Sequence, residues 1–275
     1  MGRILNNPLT VISLGAGVQS STMSLMAMHG EFDVVPDAAI FADTGAEPDS
    51  VYEWLEYLEP LLSFPVHRVM YRGGLLENIK ASVKGGRNAG APFFVKTDKD
   101  KEGALRRQCT QEFKVVPITK QIRKMIGLKD RQRAPNNTIL VKQWIGISLD
   151  EVQRMKPSRM AWIEHEWPLI DKRMSRHDCL KWMSDHGYPA PPKSACTFCP
   201  FRNDNSWRDM KRNDESSWTQ AADVDELIRK GVSGVKNELY LHRSLTPLKD
   251  VDLRSETEMG QLDFFNNECE GLCGI

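Results

Sequence analysis

The chain has 275 residues, room for one large α/β domain or for a domain with a sizeable appendage. Hydrophobic residues make up 40 % and charged residues 27 %, the mixture of an ordinary globular protein. Lysine plus arginine equal aspartate plus glutamate at 37 each, so the net charge is zero. That excludes nucleic-acid binding through an overall basic field and leaves only a local basic groove.

The opening "MGRILNNPLTVISL" reads directly into a strand rather than a signal peptide. Gly2 follows Met1, but Asn6 and Asn7 stand where a myristoylation motif wants Ser or Thr. No apolar run approaches the length of a membrane span, so the reading is a cytoplasmic protein with no membrane partner. In that compartment the six cysteines are mostly reduced, and closely spaced pairs point to metal or redox chemistry rather than to disulfides.

"LTVISL" (Leu9–Leu14) is a short β-branched run, the pattern of a buried strand. Gly15–Gly17 form a turn, and Ser20–His29 read as a helix. "DAAIFADTG" (Asp37–Gly45) is a second strand, broken at Gly45, and "PDSVYEWLEYL" a helix starting at Asp49 or Ser50. "PVHRVMY" is a third strand. "KGGRNAGAPFFVKTDKDKEG" (Lys84–Gly103) is rich in glycine and charge and reads as a mobile loop. A helix around Pro117–Met125, a fourth strand in "TILVKQWIGI", a shorter strand near Met160–Ile163 and a helix from Ser175 to about Asp185 follow. "GYPAPPKSACTFCP" is a proline-punctuated loop, and the chain from about Asn203 is polar with weak helical periodicity. Strand, helix, strand, helix, strand predicts a parallel α/β sheet.

A glycine-rich turn between the first strand and a helix N-terminus is an anion site. Backbone N–H groups point outward there, the helix dipole favours negative charge, and glycine lets a phosphate come close to the main chain. In open parallel sheets, ligands bind beyond the carboxyl ends of the strands. The competing reading is a plain strand–helix turn. "SLGAGVQSST" has neither the Lys-Ser/Thr ending of a Walker loop nor the full G-x-G-x-x-G of a dinucleotide fold.

"LGAGVQSS" resembles the PP-loop of the adenine-nucleotide α-hydrolase superfamily, with Gln19 where most members carry aspartate. Four later segments resemble its phosphoadenosine-phosphosulfate (PAPS) reductase branch, in family order. They are "FADTGAEPDSVYEWL", "RQCTQEFKVVPI", "GISLDEVQR", with Ser148 in place of an arginine, and "WPLID" followed by "YPAPPKSACTFCP". The resemblance covers residues 10 to about 200. It implies a Rossmann-like (HUP-type) parallel sheet with helices on both faces over residues 1–200. Residues 201–275 then form a small cysteine-containing, irregular or helical extension. It further implies that Ser13, Gly15, Gly17, Gln19, Ser20 and Ser21 cradle a phosphate or sulfate. Asp43 and Thr44 then border the adenosine, and Arg107, Lys114 and Arg154 meet the anion. For each cation, a solvated surface charge is the alternative. The nucleotide is PAPS, APS or ATP. Gln19 cannot supply the charge that Mg²⁺ asks of a carboxylate, which favours a sulfonucleotide, although Asp150 or Glu151 would restore a metal site.

Cys196 and Cys199 form C-x-x-C, followed by Pro200. In the resembled branch such a pair joins distant cysteines around a [4Fe–4S] cluster, which implies Cys109, Cys196 and Cys199 as ligands with Cys179, a tail cysteine or nothing as the fourth, the last leaving an open iron suited to sulfur transfer. Four thiolates equally suit structural zinc, and unmetalled buried thiols are the third reading. The tail "NNECEGLCGI" resembles the "E-C-G" end of PAPS reductases, which implies Cys269 or Cys273 as nucleophile, Lys114 as a catalytic cation and a thiol reductant such as thioredoxin as partner. A frayed tail is the alternative. Trp207 and Trp218, with Arg208 and Arg212, offer a stacking platform for a nucleic-acid substrate, against the commoner fate of core tryptophans. The lead expectation is a PAPS-reductase-like enzyme. The rivals are a PP-loop ATP pyrophosphatase that thiolates a nucleobase and a non-catalytic nucleotide-binding module with structural zinc.

Overall fold

A computed structural model describes residues 7–96, 102–129, 132–135 and 138–254. Cys269 and Cys273 lie outside the described residues. In chain order the elements are β1 (Leu9–Leu14), α1 (Val18–Met28), β2 (Ala38–Asp43), α2 (Asp49–Leu58), β3 (Val66–Met70), α3 (Gly74–Val83), β4 (Phe94–Lys96) and β5 (Glu102–Ala104). There follow α4 (Val116–Met125), β6 (Val141–Ile145), β7 (Ile163–Glu166), α5 (Pro168–Asp171), α6 (Arg176–Asp185), α7 (Asp204–Asn213), α8 (Glu215–Ile228) and β8 (Leu239–Tyr240). Among the described residues no helix is long and apolar enough to cross a membrane.

The chain forms two compact units. The first takes the segments up to Asp43, Asp49–Met70 and Val115–Ser194, and the second takes Thr44–Pro48, Tyr71–Lys114 and the chain from Ala195. The expected boundary after residue 200 differs from this division, because segments 44–48 and 71–114 pack with the C-terminal third rather than with the first sheet.

In the first unit, β1, β2, β3, β6 and β7 form one all-parallel sheet in the order β3-β2-β1-β6-β7. This is an α/β, Rossmann-like arrangement with β1 at the centre. "LTVISL" and "AAIFAD" lack strict polar alternation because both faces are covered. Ile12, Leu14, Ala39 and Phe41 pack on one face with α1, α2 and α6 through residues such as Met23, Leu55 and Met183. Val11, Ile40 and Ala42 pack on the other face with Ile118 and Ile122 of α4. Each large side chain so buried contributes roughly 1.5–3 kcal/mol. Asp37 fixes the entry to β2: its carboxylate accepts from Thr10 N–H at 2.8 Å, and its own N–H donates to Thr10 O at 2.8 Å. Ser175 starts α6 with a capping box, its hydroxyl accepting from Asp178 N–H while the Asp178 carboxylate accepts from Ser175 N–H. The last strand runs Ile163–Glu166 rather than Met160–Ile163, since pairing with Val141–Trp144 sets its register.

In the second unit, β4 pairs antiparallel with β5 and β8. The stretch Lys84–Gly103, expected as a mobile loop, therefore contains β4 and enters β5. Its partner on one side, Leu239–Tyr240, lies far along the chain, so local composition carries no sign of the pairing. α3, α7 and α8 close around Phe93, Phe113, Phe198, Trp207 and Leu239. Trp207 is fully buried, so it belongs to the core and offers no face to a base, while Trp218 is partly buried and packs against the same cluster. Asp225, also buried, gathers the C-terminal loop: it accepts from Leu241 N–H at 2.8 Å and Leu248 N–H at 2.9 Å and pairs with Arg229.

Gly146, just past β6, is a close-approach glycine. A Cβ there would stand 2.8 Å from Ser20 N and 2.9 Å from Ser20 Cα. Gly146→Ala is expected to cost about 1–3 kcal/mol, as overpacking against backbone does, measured as a lower urea midpoint at unchanged slope. An unchanged midpoint would mean that β6 and α1 are free to separate.

Candidate functional site

The turn after β1 is built from strained and open backbone. Ala16 holds φ +56°, the left-handed region that costs a non-glycine residue about 1 kcal/mol or more, and it is fully buried. Gly17 is extended and caps α1 without a side-chain hydrogen bond, and the first turn of α1 carries no acid. Unpaired helix N–H groups beside a left-handed residue make a concavity suited to an anion. Ser20 shapes it from inside: its Oγ accepts from Gly15 N–H at 3.1 Å and donates to Gly17 O at 3.4 Å. Ser21 points away from the turn and accepts from Trp54 Nε1–H at 2.9 Å. Ser13 is likewise engaged in the sheet, accepting from Gln143 Nε2 at 2.6 Å.

β1 is the central strand, and the chain leaves it for β2 on one side and returns through β6 on the other, so the turn sits at the switch point of the sheet. The loop after β6 meets it there. Gln19 Nε2 donates to Ser148 Oγ at 3.3 Å and to Glu151 Oε2 at 3.2 Å, and Glu151 Oε1 accepts from Arg154. Asp150 is occupied elsewhere, accepting from the N–H of Arg176, the first residue of α6, at 2.7 Å. Asp43 ends β2 and accepts from Tyr52 Oη at 2.9 Å.

The second unit holds a pocket of its own residues. Its walls are mostly apolar, with Phe113, Phe198 and Phe201 prominent, and Cys109, Cys196, Cys199, Arg107 and Lys114 reach it. Arg107 is held by a bond to Thr110 Oγ1 at 2.8 Å and lies over the Phe201 ring at 5.5 Å. Behind Lys114 stands Glu47, whose side chain is wholly buried and lies 3.4 Å from Lys114 Nζ. Thr44 Oγ1 donates to Glu47 Oε1 at 3.3 Å and lies 3.4 Å from Cys196 Sγ. Burial pushes the Cys196 thiol up to about 12; the Glu47 carboxylate adds to this, while Lys114 and the Thr44 hydroxyl oppose it. Glu47 was not among the residues singled out from the sequence. Nothing in "DTGAEPDS" marks it, because its burial depends on Lys114, far along the chain.

The cysteines expected to share one metal centre are divided between the two units. Cys179 is fully buried in the first unit's core beside α1, and burial pushes its thiol up to about 12. Cys109, Cys196 and Cys199 line the second unit's pocket, with Cys199 N–H donating to Cys196 O at 3.1 Å. Among the described residues, no group of three or more His, Cys, Asp or Glu side chains is arranged to hold a metal ion. These residues therefore do not by themselves fit a four-thiolate iron–sulfur or zinc centre.

The first unit's sheet order, with an anion-suited turn at its switch point, defines the class: a Rossmann-like α/β protein. No family model matches the chain, and no curated protein matches its sequence. Among solved structures it is similar to a phosphoadenylyl-sulfate (PAPS) reductase from Candida auris in a phosphate complex. That match has 14 % identity and a TM-score of 0.44, covering 69 % of this chain and 78 % of the other.

A thiol held near 12 in the fold and near 9 when unfolded is stored neutral, and only the thiolate alkylates. At pH 8, iodoacetamide should label Cys179 and Cys196 about a thousandfold more slowly in the folded protein than in urea. Peptide mass spectrometry resolves each site. The favourable contribution of the neutral thiols to stability is fully present below about pH 9 and is lost as pH rises towards 12. Equal labelling in both states would show that these thiols are not shielded.

Proposed function

We propose that the chain is an enzyme of sulfur metabolism, a PAPS-reductase-like oxidoreductase that holds an adenine sulfonucleotide by its anionic end at the turn after β1. The observation that carries the reading is that turn. Its strained Ala16, uncapped α1 and inward Ser20 hydroxyl stand at the carboxyl end of the central parallel strand. The five motif segments in family order support the choice of nucleotide.

In this chemistry a cysteine thiolate attacks the sulfur of the sulfo group. The S–O bond to the phosphate breaks, and adenosine 3′,5′-bisphosphate leaves with the bonding electron pair. The enzyme then carries S-sulfocysteine. A second thiol attacks the cysteine sulfur, sulfite departs, and a dithiol reductant such as thioredoxin reduces the resulting disulfide. The resemblance assigns the nucleophile to Cys269 or Cys273, with Lys114, Arg107 and Arg154 as cations for the anionic groups. A cluster on Cys109, Cys196 and Cys199 would take a fourth ligand from outside the described residues or leave one iron open, and no step here depends on one.

The test is product analysis with PAPS, APS and ATP in the presence of thioredoxin and its reductase. Sulfite release is expected from a sulfonucleotide. It is abolished in the Cys269→Ala/Cys273→Ala double variant while nucleotide binding persists. Ser20→Ala is expected to weaken nucleotide binding about tenfold by calorimetry, the worth of one lost hydrogen bond at the upper end. Pyrophosphate from ATP with a nucleic-acid acceptor, and no sulfite from either sulfonucleotide, would replace this function with that of a thiolating ATP pyrophosphatase.

A further inference from the structure

We infer that Gln19 is a specificity determinant that keeps a divalent cation out of the turn after β1, so that the site takes its adenine nucleotide free of metal. The inference rests on the reading that this turn holds the nucleotide's anionic end. Gln19 is the second residue of α1, and its amide nitrogen bridges Glu151 Oε2 at 3.2 Å and Ser148 Oγ at 3.3 Å. A carboxylate only accepts hydrogen bonds, so the amide must turn its NH₂ towards Glu151. The other carboxylate oxygen, Oε1, is taken by Arg154. Both oxygens of the Glu151 carboxylate are thus engaged by N–H donors.

A magnesium ion asks for oxygen ligands at about 2.0–2.1 Å in octahedral geometry. To reach Glu151 it would have to displace Gln19 from one oxygen or Arg154 from the other. The amide N–H group does the work of a cation, joining a carboxylate to a hydroxyl, yet it carries no net charge. Glu151 and Arg154 cancel, so an incoming phosphate or sulfate meets a neutral triad rather than an exposed acid. Backbone keeps the geometry fixed: Gly146 lies so close to Ser20 that even a methyl group would stand 2.8 Å from Ser20 N. Were residue 19 an acid, two carboxylates would face each other at hydrogen-bonding distance, an arrangement that holds together only around a proton or a metal ion.

The test uses the full-length protein, with manganese as the metal probe and adenosine 3′,5′-bisphosphate as the nucleotide probe. Free Mn²⁺ is followed by electron paramagnetic resonance without nucleotide. Wild type is expected to show no Mn²⁺ site that Glu151→Gln removes, whereas Gln19→Glu gains one at least tenfold tighter than anything in wild type. In calorimetry, wild-type affinity for the bisphosphate should agree within twofold in EDTA and in Mg²⁺. That of Gln19→Glu should fall at least tenfold in EDTA and recover in Mg²⁺. A wild-type Mn²⁺ site lost in Glu151→Gln overturns the inference, as does a tenfold gain in wild-type nucleotide affinity on adding Mg²⁺. If no adenine nucleotide binds under either condition, the proposed function fails. The manganese comparison of wild type with Glu151→Gln still decides the inference and needs no Gln19→Glu protein.

Discussion

The first unit depends on one contact of backbone against backbone, Gly146 against Ser20. It joins the first turn of the helix after the central strand to the first residue beyond the neighbouring strand. With any side-chain bulk at residue 146, the two loops at the top of the sheet could not come this close. Their meeting lets Gln19 reach Ser148 and Glu151, the latter already paired with Arg154 three residues on. A turn that would otherwise be a generic strand–helix connection becomes a site with defined charge, because the groups around it arrive from two strands locked by that approach. The strain at Ala16 is sustained by the same packing, since the residue is completely buried and has no room to relax.

The second unit solves a different problem, a carboxylate with no exposure to water. An unpaired ionised carboxylate in such a place would be costly by several kcal/mol. Glu47 is compensated by the Lys114 ammonium and the Thr44 hydroxyl, and Thr44 is in turn pinned through its carbonyl, which accepts from Leu75 N–H at 2.6 Å. Gly74, with φ +88°, makes that approach possible, since a Cβ there would lie 2.7 Å from Thr44 O. Thr197 N–H, donating to Ala46 O at 2.7 Å, ties the C-x-x-C loop to the same corner. Lys114 is thereby presented to the pocket with its counter-charge behind it, the arrangement that leaves the pocket face cationic alongside Arg107.

Four strands of the first sheet were legible as runs of β-branched and apolar residues, whereas the fifth, Ile163–Glu166, was placed three residues early because "IEHE" has no apolar run to mark it. Local sequence decides such elements. The same is true of α6, whose Ser175–Asp178 box announces its start. What stayed hidden depends on distant chain. β4 exists because Phe94 and Val95 meet Tyr240 and Leu239, and the glycines and charges around it speak locally for a loop. α3 is obscured because Gly73 and Gly74 open it, where glycine reads as a break; their positive φ is what the turn into the helix needs. At the site, the glycines and serines of the turn stand out by type. The roles of Glu47 and of the Glu151–Gln19 bond do not, since each exists only once segments far apart in sequence are adjacent. Cys179 was grouped with the other cysteines by counting thiols, whereas its helical phase turns it into the core with Met183.

The state of the thiols bears on how sulfur chemistry would be divided among the cysteines. A nucleophilic cysteine needs a lowered pKa, from a helix N-terminus or a nearby cation, and access to its electrophile. Cys179 has neither, being fully buried and pushed up to about 12. Cys196 has Lys114 nearby, but burial and Glu47 outweigh it, and its thiol is also pushed up to about 12. As thiols, both are built to stay protonated at neutral pH, which suits packing or a hydrogen bond to Thr44 better than attack. A thiolate-first reaction on a sulfonucleotide must then draw its nucleophile from cysteines less deeply desolvated than these two. Cys196 then stands as a wall of the pocket whose polarity Glu47, Thr44 and Lys114 set.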